Sequence, residues 1–240
     1  LALMILGIQS GMNRLSKIET FSLDPLVQSL FGFDGKVSDS TMAGRFVRAD
    51  MHSSTTYMNI IGEFSRKIHG RLKTKRDIID MDSSVRTVYG NQQGAGKGFN
   101  DKKKGAKSYH PLMAFLNSTR ECLLSWLRPG NTYTANGAEE FFSQLMGMIP
   151  ASIKSLLLRC DSGFFSEKLI SRAEQYPGVN YLIKVKLKNL IDVLSLQDWL
   201  KVPYMPGTEI CDFYYKPKSW SRERHFYAVR ILKSVEKDGR

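Results

Sequence analysis

Two short stretches decide the fold: Asp77-Ile78-Ile79-Asp80-Met81-Asp82 and, further along, Leu156-Leu157-Leu158-Arg159-Cys160-Asp161. In the first, Ile78, Asp80 and Asp82 alternate with Ile79 and Met81, the two-residue period of a strand with unlike faces. In the second, a short unbroken apolar run leads straight into charge, which suits a central strand covered on both faces. Each ends on an aspartate. Between them lie strand-like runs at 108–116 and 122–127, closed by Arg128-Pro129-Gly130-Asn131. Asn136 is then expected to cap a helix with Phe141, Phe142, Leu145 and Met146 on one side, ended by Pro150. Beyond the second stretch, Ser166 caps a helix carrying Leu169, Ile170 and Ala173, which stops at Pro177-Gly178, and 179–186 reads as a strand. Three strands, then helix, strand, helix, strand predict an α/β fold, a mixed sheet with flanking helices.

Outward from this core, residues 1–75 read as a helical subdomain. Asp24-Pro25 places a capping carboxylate before a proline at the first helical position, Leu26, Val27, Leu30 and Phe31 follow at helical spacing, and Gly32 ends the helix. Ser38-Asp39-Ser40-Thr41 opens a second helix containing Met42, Arg45 and Phe46. A third stretch sets Tyr57, Ile60, Ile61, Phe64 and Ile68 on one face, with Arg66, Lys67, Arg71, Lys73 and Lys75 toward its end. Arg45 and Arg48 after a sharp turn suit a helix-turn-helix reader, and equally a packing subdomain with a basic, solvated face. The apolar run 1–8 is too short to span a bilayer and reads as one helix face. Residues 76–187 form the core. Residues 188–240, with a polar helix to about Lys201 and strand-like runs at 209–215 and 224–232, form a strand-rich insertion.

Charge narrows the function. Against 23 acidic residues stand 35 lysines and arginines, a net charge of +12. Such an excess favours a polyanion, since each neutralised phosphate releases condensed counterions, although a membrane surface or a ribosome would be drawn too. Cys122, Cys160 and Cys211 show neither a metal nor a disulfide spacing and read as buried free thiols of a reducing compartment. The four histidines lack zinc-ligand spacing. Residues 90–105 are rich in glycine and carry Lys102-Lys103-Lys104, which reads as a mobile loop, either DNA-contacting or plainly flexible. Gly96-Lys97 is not a phosphate loop, because Asn91 and Gly98 stand where that motif needs Gly and Ser or Thr.

Phosphoryl transfer on DNA needs divalent cations, in pairs about 4 Å apart, held by carboxylates. Acids at the ends of adjacent strands meet that need, because the sheet fixes them, and Asp82 and Asp161 have that placement. Asp82-Ser83-Ser84 and Asp161-Ser162-Gly163 also suit turn and cap chemistry. Arg86 lies close enough to Asp82 to touch a phosphate, or else pairs with Asp80. Further candidate DNA contacts are Lys97, Lys102, Lys103 and Lys104 in the glycine-rich stretch, and Lys184, Lys186 and Lys188 alternating with apolar residues. Arg222 and Arg224, beside Trp220, complete the set. Each has a bland alternative as solvated charge or surface packing.

The stretches from Ile79 through Asp82-Ser83-Ser84 to Gly94, and from Leu158 through Asp161-Ser162-Gly163 to Phe165, closely resemble the first and second acidic motifs of DDE transposases from bacterial insertion sequences. Tyr109-His110-Pro111-Leu112 and the run from Tyr181 to Lys186 match the neighbouring strands, so the resemblance extends from about Leu3 to Val235. It implies an RNase H-like catalytic core with a strand-rich insertion before its last helix. Asp82 and Asp161 would be the first two ligands of Mg²⁺, with Mn²⁺ able to substitute; Asp80 fits less well, because the family aspartate directly precedes Ser or Thr. The implied partners are double-stranded DNA, at terminal inverted repeats and target, and further copies of the chain. The implied setting is a bacterial cytoplasm at the nucleoid, with no membrane. One departure stands out: the family's glutamate, within Tyr-x2-Arg-x3-Glu-x6-Lys, has no match. Glu223 and Glu236 lack its partners, so the third acid is expected beyond Arg240. The alternatives are a non-catalytic DNA-binding remnant and a nuclease without a joining step.

Overall fold

The computed structural model describes residues 2–48, 51–69, 74–185 and 190–232. The chain forms two compact units, Leu1–Phe64 and Ser65–Arg240. The first unit holds α1 (Ala2–Gln9), α2 (Leu15–Phe21), α3 (Pro25–Phe31), α4 (Asp39–Val47) and most of α5 (Met51–His69). Asp24 caps α3 by accepting from the amides of Leu26 and Val27, and Gly32 ends it in the left-handed conformation. The Ser38 hydroxyl accepts from Thr41 N–H at the start of α4. Leu3, Ile18, Val27 and Met42 form the buried cluster of this unit. Leu26 and Leu30 stay exposed, as do Arg45 and Arg48. Of the basic positions near the end of α5, Arg71 and Lys73 lie outside the described residues.

In the second unit the strands are β1 (Arg76–Ser83), β2 (Arg86–Thr87), β3 (Gly96–Lys97), β4 (Lys107–Tyr109), β5 (Leu112–Leu116) and β6 (Glu121–Trp126). Then come α6 (Ala138–Met146), β7 (Ser155–Cys160), α7 (Glu167–Ala173), β8 (Val179–Ile183), α8 (Leu190–Ser195), β9 (Leu200–Lys201), β10 (Thr208–Tyr215) and β11 (Arg224–Ile231). The main sheet has the order β6-β5-β1-β7-β8. β1 runs antiparallel to β5 and parallel to β7, and β7 parallel to β8. Three antiparallel strands extended on one side by two parallel strands, with α6 and α7 in the connections, is the RNase H-like arrangement. The core packs on one face of this sheet: Ile79, Met81, Leu156 and Leu158 are buried with Phe141, Phe142 and Leu145 of α6 and Leu169 and Ile170 of α7. Leu157 is only half-buried, so β7 alternates rather than being covered on both faces; its other face leads to the charged end of the sheet.

The run 108–116 is two strands, not one. Pro111, without an N–H to give a ladder, separates β4, in a small sheet with β2 and β3, from β5 in the main sheet. Nor does Asn136 cap α6: that place is held by Gly137 in the left-handed conformation (φ 73°). A separate sheet, β11-β10-β9, forms the insertion. No helix of the described residues is long and apolar enough to cross a membrane.

Candidate active site

Parallel pairing of β1 with β7 sets Asp80 opposite Arg159 and Met81 opposite Cys160. One residue further along each strand stand Asp82 and Asp161. Because parallel partners share a face and strands lie about 4.8 Å apart, the two backbones bearing these carboxylates are close neighbours. Both aspartates are exposed, on the face opposite the apolar core. Burial raises the pKa of the Cys160 thiol, and the nearby charges of Asp161, Asp80 and Asp82 raise it further.

The carboxylates differ in what engages them. Asp80 is tied to Arg159 by two bonds, Oδ1 to Nε at 2.5 Å and Oδ2 to Nη2 at 2.8 Å, so it balances that guanidinium. Arg86, read above as a possible partner of Asp80, lies instead exposed in β2. Asp82 Oδ1 accepts from Ser83 N–H at 2.7 Å. Asp161 Oδ1 accepts from Gly163 N–H at 3.0 Å and caps the short 3-10 turn Ser162–Phe164, so cap chemistry and surface exposure coexist there.

One turn hydrogen-bonds to the end of β1 and packs against the residues that follow β7. Thr134 contacts the Ser83 hydroxyl at 3.2 Å, and its methyl side lies where a side chain on Gly163 would collide, 3.0 Å away. His110 meets Ser83 Oγ through Nε2 at 3.1 Å and the Thr132 carbonyl through Nδ1 at 2.7 Å. The turn carrying Thr132 and Thr134 is held in turn by Arg128, a buried guanidinium that donates to the carbonyls of His110, Tyr133, Thr134 and Asn136. Burial lowers the Arg128 pKa, and its Nη2 finds no partner among the described residues. Arg128 and Thr134 escaped the sequence reading. Nothing in the local pattern marks a residue whose partners are carbonyls of a turn.

The expected DNA contacts fall into three groups. Arg86, Lys97, Lys102, Lys103, Lys104 and Lys184 are exposed, Lys184 standing just past the end of β8. Lys186 and Lys188 lie outside the described residues. Arg224 is interior: its guanidinium stacks over Trp220 at 4.9 Å and donates to Glu174 (3.0 Å), Ser171 (2.9 Å) and Glu167 (3.4 Å). That removes Arg224, and the equally buried Trp220, from the accessible surface. Arg222, more open, is paired with Glu174. Among the cysteines, Cys160 and Cys211 are buried and Cys122, expected to be buried, is exposed. No group of three or more acidic, histidine or cysteine side chains suited to a metal occurs among the described residues.

Solved structures to which this chain is similar include the piggyBac transposase synaptic complex with hairpin DNA, at 16% identity and TM-score 0.40, covering 79% of this chain. The Mos1 transposase paired-end complex with the left transposon end follows at 10% identity and TM-score 0.32, covering 78%. A Mos1 mariner paired-end complex with Mn follows at 12% identity and TM-score 0.31, covering 75%. The chain spans 43% of the piggyBac chain and 57–58% of the Mos1 chains. No individually curated protein matches it. With both acidic motifs at adjacent strand ends of an RNase H-like sheet, and residues 1–237 matching the transposase DDE domain of group 1, the chain belongs to the DDE transposase family.

Proposed function

We propose that this chain binds transposon ends and target DNA and carries two of the carboxylates for divalent-metal-dependent strand cleavage and transfer. The observation that carries the reading is the matched, exposed placement of Asp82 and Asp161 at the ends of parallel β1 and β7. Carboxylate oxygens on a rigid sheet edge are the donors that Mg²⁺ or Mn²⁺ prefers, so the residues fit a hard cation. Such a cation, when bound, supplies activation of the attacking oxygen and neutralisation of the leaving one. The chain's own part is to hold both carboxylates in register through the ladder, with Thr134 and His110 fixing Ser83 beside Asp82. Asp80 is kept from the metal by Arg159. Arg86, Lys97, Lys102, Lys103, Lys104 and Lys184 would carry the DNA backbone, with Arg222 at the edge of the set. Several copies on paired ends, in a bacterial cytoplasm at the nucleoid, complete the picture.

A second reading is a DNA-binding remnant without chemistry, which would keep the fold and the exposed basic residues. One experiment separates them: incubate the chain with Mg²⁺ and a duplex containing the DNA that flanks its own reading frame. Expressed together with whatever its reading frame encodes after Arg240, the wild type should nick that DNA. Asp82→Asn and Asp161→Asn should lower the rate by more than about 100-fold, the upper end for loss of a mere outer-shell partner, while leaving binding intact. Undiminished cleavage by Asp161→Asn would refute the assignment. Binding without cleavage by the wild type would favour the remnant.

A further inference from the structure

We propose that Tyr89 and Phe99 form a stacking platform for unpaired nucleobases of the DNA. This rests on the DNA-binding reading above. The rings are 73% and 82% exposed at the two sides of the glycine-rich stretch. Phe99 is pinned from behind. The preceding Gly98 packs its backbone against Gly130 so closely that an added Cβ would lie 2.0 Å from the Gly130 oxygen. The following Asn100 is buried; its amide donates to Thr87 Oγ1 at 2.8 Å and its Oδ1 accepts from the N–H groups of Lys102 and Lys103. Both neighbours are fixed, so the backbone that carries the phenyl ring is held in place while the ring itself stays exposed. Tyr89 is held by Gln92, which donates to its carbonyl at 2.7 Å, and carries the Lys103 ammonium 4.8 Å from its ring centroid.

The surrounding charge selects the ligand. Lys97, Lys102, Lys103 and Lys104 are exposed in the same stretch, against its single acid Asp101, and Lys103 lies over the Tyr89 ring. An apolar protein groove would match the rings but leave this charge without a counter-charge. A nucleic acid strand matches both, its phosphates meeting lysines while its bases stack. Within a duplex each base face is already covered by its neighbours, so a ring side chain reaches one only where a base is unpaired or swung out. The same anchor ties the platform to the acidic site, for Gly130-Asn131 runs directly into the Thr132–Thr134 turn that hydrogen-bonds to the end of β1 and packs against the residues that follow β7.

The test uses two probes: a duplex with a central unpaired stretch bearing a fluorescent purine analogue, and the fully paired duplex of the same length. Wild type should prefer the unpaired probe and quench its fluorescence. Phe99→Ala should weaken binding to that probe alone, by about tenfold, and Phe99→Trp should restore it. The ring is exposed, so neither change disturbs the core. Replacing Lys102, Lys103 and Lys104 together by alanine should weaken both probes. If Phe99→Ala binds both probes like the wild type, or loses both equally, the stacking platform is wrong while the lysine result leaves DNA binding standing. If the lysine variant also binds both probes like the wild type, the loop's DNA contact falls, and this proposal with it.

Discussion

Gly98 and Gly130 turn a composition that reads as flexibility into its opposite. A Cβ on Gly98 would meet the Gly130 oxygen at 2.0 Å; one on Gly130 would meet Ser108 Oγ at 2.1 Å and the Ser108 carbonyl at 2.6 Å. The obstructing atoms are largely backbone, which cannot swing aside, so glycine serves close approach here rather than mobility. Gly98→Ala and Gly130→Ala should each destabilise the second unit by about 2–3 kcal/mol, lowering its melting temperature by roughly 5–10 °C. Thermal unfolding followed by circular dichroism measures this, and an unchanged midpoint would mean that the two segments do not cross as described. Nothing local distinguishes a glycine that permits contact from one that permits motion. The partner stretch lies some thirty residues away in sequence, which is why 90–105 reads as a mobile loop until the fold is known. The two acidic positions were more legible, because alternation in 77–82 and the apolar run 156–158 fix which residues reach the strand ends.

At the scale of elements, the insertion is fastened to α7 by charge. Glu174 accepts from Arg224, from Arg222 and from the Tyr181 hydroxyl, and Glu167 from the Ser221 N–H and hydroxyl, both at 2.6 Å. Burial pushes the Glu174 carboxyl up, but the bonds from Arg224, Arg222 and Tyr181 outweigh it and hold the pKa below its ordinary 4.5. Glu167 is held below 4.5 by Ser221 and then by Arg224. The Tyr181 phenol, pushed up to about 12 by burial and by Glu174, stays a donor throughout. A carboxyl with a lowered folded pKa adds stability above its unfolded value and loses it as pH falls through the folded one. Docking of the insertion should therefore weaken below pH 4.5, seen as a change in Trp220 fluorescence and faster proteolysis near 216–223. Glu174→Gln should flatten that acid transition; a profile identical to wild type would contradict the fastening. The main sheet was readable as elements, since its strands and helices announce themselves by period and caps. This junction was not: Arg224 looks like a free basic residue because its acids lie 50 and 57 positions upstream. The helix after Asn136 likewise starts one residue later than the sequence suggests, with Gly137 in the left-handed conformation at its cap.

Over the whole molecule, the net charge of +12 is not spread evenly in its availability. Arg159, Arg172, Arg222, Arg224 and Arg230 are matched to carboxylates, and Arg128 is enclosed among carbonyls. Arg224 and Arg128, both interior, build the fold, and the others sit in more open ion pairs. The lysines of 97–104 stay exposed, as do Arg86 and Lys184, and Arg45 and Arg48 in the first unit. If these exposed cations meet phosphates, affinity for duplex DNA should fall linearly on a double-logarithmic salt plot, with about 0.9 of slope for each phosphate engaged. Removing Lys102, Lys103 and Lys104 together should make the slope shallower by roughly 2–3, and Phe99→Ala should leave it unchanged, because stacking releases no counterions. Arg224→Met tests the complementary side: as a fold-building arginine it should lower stability without altering the slope of the chain that remains folded. Fluorescence anisotropy titrations across a salt series measure all three. A salt-independent affinity would mean that this charge serves solubility alone, whereas a slope changed by Arg224→Met but not by the lysines would reverse the division between arginines that build and lysines that bind.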